Sequence, residues 1–335
     1  MALVTCQYCG KIVPSLEEIC LNCGRSNFWE SNLPKNQVER NAFRYILTGN
    51  LKELSRLVKD GININVVADS DTIKMDNLDP PVISTGDSLL HVAIALKNDD
   101  AINFLLNNDI DINIVSSGKS SPLFTAIYFN NFEVAKYLIK NGANLHITNE
   151  KYGQGLLHYC TDIETAQLLI DHGVNPNARC QHLGYSPLHL EAGRNVNIEM
   201  IRLLLLNGAD VNIKGNKGET PTHILCGFFL YCKKIEKVGS LLIKYGAGVD
   251  TQDFDGDTPL HWAVGKGRKI NFENWGSVEA INFLIDNGCS PSITNNNGET
   301  PLDIATNTGK LEFVKAFEAK GISPKKRTWF GNWFN

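Results

Sequence analysis

A tetrapeptide of the form Thr-Pro-Leu-His returns along this chain at a nearly regular interval, and that periodicity restricts the fold more than any other feature. Thr258-Pro259-Leu260-His261 has close copies at Ser186-Pro187-Leu188-His189, Thr220-Pro221-Thr222-His223 and Thr300-Pro301-Leu302-Asp303. Looser copies begin at Ser88, Ser121 and Gly155. From Ser88 to Thr300 the first residues stand 33, 34, 31, 34, 38 and 42 positions apart. Such a period means stacked two-helix units, each too small to bury its own apolar face without a neighbour. The predicted class is therefore mainly α, a stack that presents surfaces and seldom encloses a catalytic pocket.

Physically the tetrapeptide is a helix start. A Thr or Ser hydroxyl caps an orphan amide of the first turn, and proline suits the first helical position because it has no amide to satisfy. Each unit also carries a stop, a Leu-rich stretch ending near glycine, as in Leu204 to Gly208 and Leu284 to Gly288. Glycine there suits the left-handed residue that closes a helix. Gly-x-Thr-Pro-Leu-His combined with Leu-Leu-x-x-Gly-Ala-Asp-Val-Asn resembles the ankyrin repeat family. About eight repeats are expected, over residues 35–65, 86–117, 118–150, 153–181, 184–214, 218–252, 256–295 and 298–324. The first is degenerate, with Val38, Ala42, Phe43, Ile46 and Leu47 on one helical face.

Departures are informative. Repeat 4 has Gly155 and Leu156 where the cap and proline belong, which predicts the weakest link. Thr222 replaces an inward leucine and needs a hydroxyl partner. Asp303 replaces histidine, and a carboxylate still suits a helix N-terminus. Five of the eight histidines (His91, His158, His189, His223 and His261) share one repeat position. There the resemblance implies a structural hydrogen bond to neighbouring backbone. Spaced one per repeat, roughly 10 Å apart, they cannot share a metal whose nitrogen ligands stand ~2 Å away.

The second strong signal is Cys6-x2-Cys9-Gly10 followed by Cys20-x2-Cys23-Gly24. Paired knuckles of this kind place four thiolates around one tetrahedral ion. The segment is similar to the short zinc-ribbon family, so residues 1–30 are expected to form a small β zinc ribbon holding one structural Zn2+ on Cys6, Cys9, Cys20 and Cys23. Iron in a rubredoxin-like site and disulfides are the alternatives. Residues 1–34 carry only Lys11 and Arg25 as basic groups, against Glu17, Glu18 and Glu30, which disfavours nucleic-acid binding.

The chain has 335 residues and a net charge of −4. No stretch approaches the roughly 18 apolar residues of a membrane span, and Met1–Cys6 has no signal-peptide character. Free thiols beside a thiolate site point to a reducing cytoplasm. No phosphate loop, nucleophile elbow or His-Glu-x-x-His stands out, so the expectation is a monomeric, non-enzymatic protein. The tail 325–335, with Lys325, Lys326 and Arg327 before Trp329, Phe330, Trp333 and Phe334, reads as a cover for the open end of the stack, with membrane contact or an address signal as alternatives.

Ankyrin stacks, by resemblance, bind protein partners through turn tips and the shorter inner helices. Carried onto this sequence, the tips offer Lys151, Tyr152, His182, Tyr185, Lys217, Phe254 and Asp257, and the ends of inner helices offer Tyr128, Phe129, Arg194, Phe228 and Lys266. Aromatic and Arg side chains tend to dominate binding energy. Repeats 6 and 7 are longer than usual, with additions around Phe228–Val238 and Gly265–Gly276. Their Lys233, Lys234, Arg268 and Trp275, with Phe228, predict a basic-aromatic patch. A third insertion, Val66–Thr85, is acidic and reads as a loop. A protein-binding scaffold is the favoured function. A bacterial effector or similar regulator working in a host cell through the same surface is the alternative, and zinc-ribbon nucleic-acid binding follows behind.

The four-cysteine reading makes a direct prediction. A segment this short cannot bury a sufficient core, so metal should supply its folding free energy, on the order of 10 kcal/mol. Protein made under reducing conditions should carry one zinc per chain by elemental analysis, and Cys6→Ser should release it while leaving the helical melting transition in place.

Overall fold

The computed structural model describes residues 3–5, 12–14, 35–69, 72, 84–193, 197–227, 235–265 and 276–323. At the amino end, strand Leu3–Thr5 pairs antiparallel with Ile12–Pro14, in the register Leu3↔Pro14, Val4↔Val13 and Thr5↔Ile12. Cys6, Cys9, Cys20 and Cys23 lie outside the described residues, as does the tail 325–335. The helical region divides into two compact units, Met1–Glu150 and Lys151–Asn335.

In the first unit, Lys35–Thr48 and Leu51–Lys59 form repeat 1, Leu89–Ala95 and Asp99–Leu106 repeat 2, and Pro122–Tyr128 and Phe132–Lys140 repeat 3. Their core is Ala42, Phe43, Ile46, Leu54, Leu90, Ile94, Leu105, Leu123 and Leu138, all buried. Val38 and Leu47, on the same face of the first helix, are half-buried. The acidic insertion is anchored at its start. Arg40 pairs with Asp69 at 2.9 Å, and Asp69 also accepts from the Thr72 amide and hydroxyl, which together hold its carboxyl well below the usual range.

In the second unit the inner helices Pro187–Gly193, Pro221–Gly227 and Pro259–Ala263 pack side by side, followed by Pro301–Asn307. The outer helices are Ile163–Asp171, Ile198–Leu206, Ile235–Lys244, Val278–Asp286 and Leu311–Ala319. The inner helix of repeat 4, without its cap and proline, is reduced to a three-residue 3-10 turn, Leu156–His158. Both insertions fall between inner and outer helices, although Val238 already lies within the outer helix. Cys160, Cys180, Cys226 and Cys289 are buried thiols outside any disulfide, and burial pushes the Cys160 and Cys289 thiols up to about 12.

Two hydrogen-bond systems couple consecutive repeats. In the first, each cap residue donates its amide to a histidine Nδ1: Ser88 to His91 and Ser186 to His189 at 3.1 Å, Thr258 to His261 at 3.0 Å. An Nδ1 that accepts leaves the proton on Nε2. That proton is donated to the carbonyl just before the next cap, from His91 to Ser120, His158 to Tyr185, His189 to Glu219, His223 to Asp257 and His261 to Glu299, all within 3.1 Å. At the end of the row Asp303 keeps only the local half, accepting from the Thr300 amide and hydroxyl at 3.0 and 2.7 Å.

The second system lies after the outer helices. Asn65 accepts from the Asp111 amide and Asn113 from Asn144, both at 2.7 Å. In the second unit Asn177 accepts from Asp210, Asn212 from Gly248 and Asp250 from Ser290. Asn177 and Asn212 also donate, at 2.8 Å, to the carbonyls of Gly208 and Gly246. The helix stop at Gly208 has φ 83°, whereas repeat 2 places Asp109 there at φ 54°. A side chain in this conformation costs roughly 1 kcal/mol. Lys97, Lys119 and Asn130 also have left-handed backbone, with φ of 53–59°.

Two predictions follow from this packing. Burial lowers the pKa of His91, His189 and His223 to about 4, from a model-peptide value near 6.5. The unfolded chain therefore takes up protons first as pH falls. The contribution of the neutral rings is complete above about pH 6.5 and drains toward pH 4, by about 3 kcal/mol per ring at the limit. Urea midpoints measured from pH 7 to 4.5 should fall steadily; a flat profile would mean that the rings stay solvated.

Thr222 supplies the other prediction. Its Oγ1 is buried with no hydrogen-bond partner among the described residues. Thr222→Val keeps the shape and removes the stranded hydroxyl, so it should stabilise by about 1 kcal/mol in chemical denaturation. Thr222→Ser, which keeps the hydroxyl and loses a methyl group, should destabilise.

Candidate functional site

The surface built most regularly in the second unit is the row of turns ahead of the inner helices. Each turn is a small hairpin: Cys180 donates its amide to the Tyr185 carbonyl, Gly215 to Glu219, Asp253 to Asp257 and Asn295 to Glu299. Each is then bonded to the one before it, Gln181 to the Tyr152 carbonyl, Asn216 to Leu183, Phe254 to Lys217 and Asn296 to Asp255. The result is a ribbon of backbone running across the tips, reinforced by Asn216 Nδ2 to the Gln181 and His182 carbonyls and by Asn296 Nδ2 to Phe254.

Buried acids brace the tips from below. The Asp253 carboxylate accepts from the Asp255 amide, the Asp257 amide and Trp262 Nε1. Repeat 6 has Gly215 in that place, and Glu219 substitutes by folding back to accept from the Lys217 amide at 2.8 Å. Trp262, Tyr185, Ile224 and Cys180 make an apolar cluster, with Tyr185 stacked on His189 at 4.9 Å. Gly218 has φ 83°, and a Cβ there would sit 2.8 Å from the Phe254 amide nitrogen, so this tip admits no side chain at that residue.

Of the tip residues expected to meet a partner, Lys151, Tyr152, His182, Lys217 and Phe254 are exposed. Lys151 Nζ stands 4.9 Å from the Tyr152 ring centre, and a hydrogen bond that Lys151 donates to the Tyr152 side chain raises its pKa. Tyr152 meets His182 edge-on at 6.0 Å. Tyr185 and Asp257 are placed otherwise: both are at 4% exposure, Tyr185 inside the cluster and Asp257 bonded to Asn295 Nδ2. They shape the tips and offer no surface to a partner. In the first unit, Tyr128 and Phe129 end an inner helix, edge-on to one another at 5.3 Å and both exposed. Arg194, Phe228, Lys233, Lys234, Lys266, Arg268 and Trp275 lie outside the described residues.

Two cations were not singled out by the sequence. Arg179 donates through Nε to the Gly184 carbonyl and through Nη2 to Asn216 Oδ1, both at 3.0 Å. Lys214 donates to the Gln252 carbonyl at 3.1 Å and stands 5.8 Å from the Phe254 ring centre. Both precede their tips at one equivalent repeat position, a regularity that the repeat alignment itself contains.

The arrangement suits contact and gives little purchase for chemistry. Each bridging histidine has both ring nitrogens engaged by backbone, which leaves none to take a proton or bind a metal. Among the described residues no group of three or more His, Cys, Asp or Glu could hold a metal ion, and no helix is long and apolar enough to cross a membrane.

Comparison with known proteins agrees with this geometry. A family model described as ankyrin repeats (3 copies) matches residues 30–149, 90–180, 157–233, 188–272 and 241–328. The nuclear factor NF-kappa-B p105 subunit of Gallus gallus is 29% identical over 251 residues, 66% of this chain and 24% of that protein. Ankyrin repeat protein OPG189 of Variola virus is 29% identical over 235 residues, 66% of this chain and 39% of its own length. The chain thus spans between a quarter and two fifths of these two relatives. The solved ankyrin repeat domain of Bcl-3 superposes with a TM-score of 0.52 at 23% identity, covering 66% of this chain and 95% of that one.

Proposed function

Because the chain belongs to the ankyrin repeat family, we propose that it is a non-enzymatic scaffold that binds a protein partner through its turn tips and inner helices. The observation that carries this reading is the bonded tip ribbon, which holds Tyr152 and Phe254 exposed on a braced backbone. Exposed aromatics on a rigid support suit hot-spot contacts, because little conformational freedom is lost on binding. The insertions of repeats 6 and 7, with Lys233, Lys234 and Arg268, extend the same reading.

The amino-terminal segment is proposed to hold one structural zinc on Cys6, Cys9, Cys20 and Cys23. The paired strands support this, since the first Cys-x2-Cys knuckle falls in sequence between them. Four thiolates suit zinc, whose role would be to order this short segment as a contact or capping module.

A second reading, an effector or regulator acting on host proteins, draws support from the similarity to a Variola virus protein. Both readings use the same surface. Affinity capture with the full chain as bait, quantified by mass spectrometry, tests it. A stoichiometric partner should be recovered by the wild type and reduced at least fivefold by Tyr152→Ala with Phe254→Ala. Recovery unchanged in the double variant would remove this surface from the account.

A further inference from the structure

The tip ribbon of the second unit carries four exposed cations, Lys151, Arg179, Lys214 and Lys217. Elsewhere pairing is mixed: Arg202 stands with Glu199 and Lys136 with Glu133, whereas Lys237 and Lys244 form no ion pair with a described carboxylate. On the ribbon, Lys151, Arg179, Lys214 and Lys217 form no ion pair with a described carboxylate. Arg179 and Lys214 are instead positioned by neutral acceptors, the carbonyls of Gly184 and Gln252 and the amide oxygen of Asn216. Each has unused donors, three on the guanidinium and two on the ammonium. The nearby acids Glu219, Asp253 and Asp257 are buried beneath the tips. Asp255, in repeat 7, and Glu150, beside Lys151, are exposed carboxylates at the tips.

We propose that this ribbon receives an extended acidic peptide segment, its acidic side chains on Lys151, Arg179, Lys214 and Lys217 across repeats 4–6 and an apolar side chain against Phe254. The proposal rests on the scaffold reading and adds the chemical class of its partner. Each repeat contributes two hydrogen-bonded backbone strands to the ribbon, so successive tips are ~10 Å apart at about 4.8 Å per strand. An extended peptide advances ~3.3 Å per residue, so every third side chain meets a new tip. Asp255 opposes an acid beside Phe254, which suits the apolar residue to that tip. Prepositioned cations lose little side-chain freedom on binding, which favours a carboxylate partner over merely diffuse attraction.

Fluorescence anisotropy on the full chain tests this with a labelled twelve-residue peptide, four repeats of Glu-Thr-Ser. The wild type should bind it saturably and at least threefold more tightly than a peptide with the same four glutamates in one block. Lys214→Glu with Lys217→Glu should weaken binding at least tenfold. Lys237→Glu with Lys244→Glu, an equal change of net charge on an outer helix, should leave it within twofold. Melting curves for both double variants establish folding. Equal losses in the two variants, or equal affinity for the two peptides, would overturn the proposal, as would tighter binding of a twelve-nucleotide single strand with the same Lys214 and Lys217 dependence. If the peptide fails while partner capture still depends on Tyr152 and Phe254, the scaffold stands and only the acidic class of partner falls.

Discussion

A neutral imidazole fastens one helix pair to the next, and much of the stack depends on it. The ring closes the cap of its own helix through Nδ1 and donates through Nε2 to the backbone in front of the following cap. Both groups it serves are buried, where an unmet amide or carbonyl would cost about as much as a lost hydrogen bond. One side chain thus meets two obligations in different repeats, and it does so only while uncharged. Cap residue, proline and histidine are three parts of one joint, which is why they recur together.

The joint also explains where the interaction surface comes from. The carbonyl that accepts from the histidine belongs to the last residue of the next hairpin, so the bond that stacks the helices also sets the height of each tip. Below the tips, Asp253 and Glu219 satisfy amides that the tight turns leave exposed. With the turn's own polar groups answered internally, the side chains left on the outside are available for contact.

Much of this was legible in the sequence because periodicity records local requirements. The cap at Ser186, the proline at Pro187 and the stop at Gly208 each answer a backbone need that recurs at a fixed position. Thr222 and Gly155 stood out by breaking the pattern, and the structure shows a stranded hydroxyl at the first and a single 3-10 turn at the second. Illegible were the properties set by neighbours. Tyr185 and Asp257 sit at tip positions as exposed residues do, yet a stacked His189 and the amide of Asn295 hold them inside. Arg179 and Lys214 look like ordinary charged residues until the next repeat supplies the acceptors that fix them.

The left-handed residues carry a consequence of their own. Among the described residues, the four with side chains at such backbone angles all belong to repeats 2 and 3. The second unit meets the same geometric needs with glycine, Gly208 in place of Asp109, Gly218 and Gly256 in place of Lys119, and Gly309 in place of Lys97 and Asn130. Amino-terminal repeats therefore hold torsional cost, roughly 1 kcal/mol at each site, that the carboxy-terminal ones avoid. Local opening of repeats 2 and 3 thus releases a torsional cost that opening of a glycine-closed repeat does not.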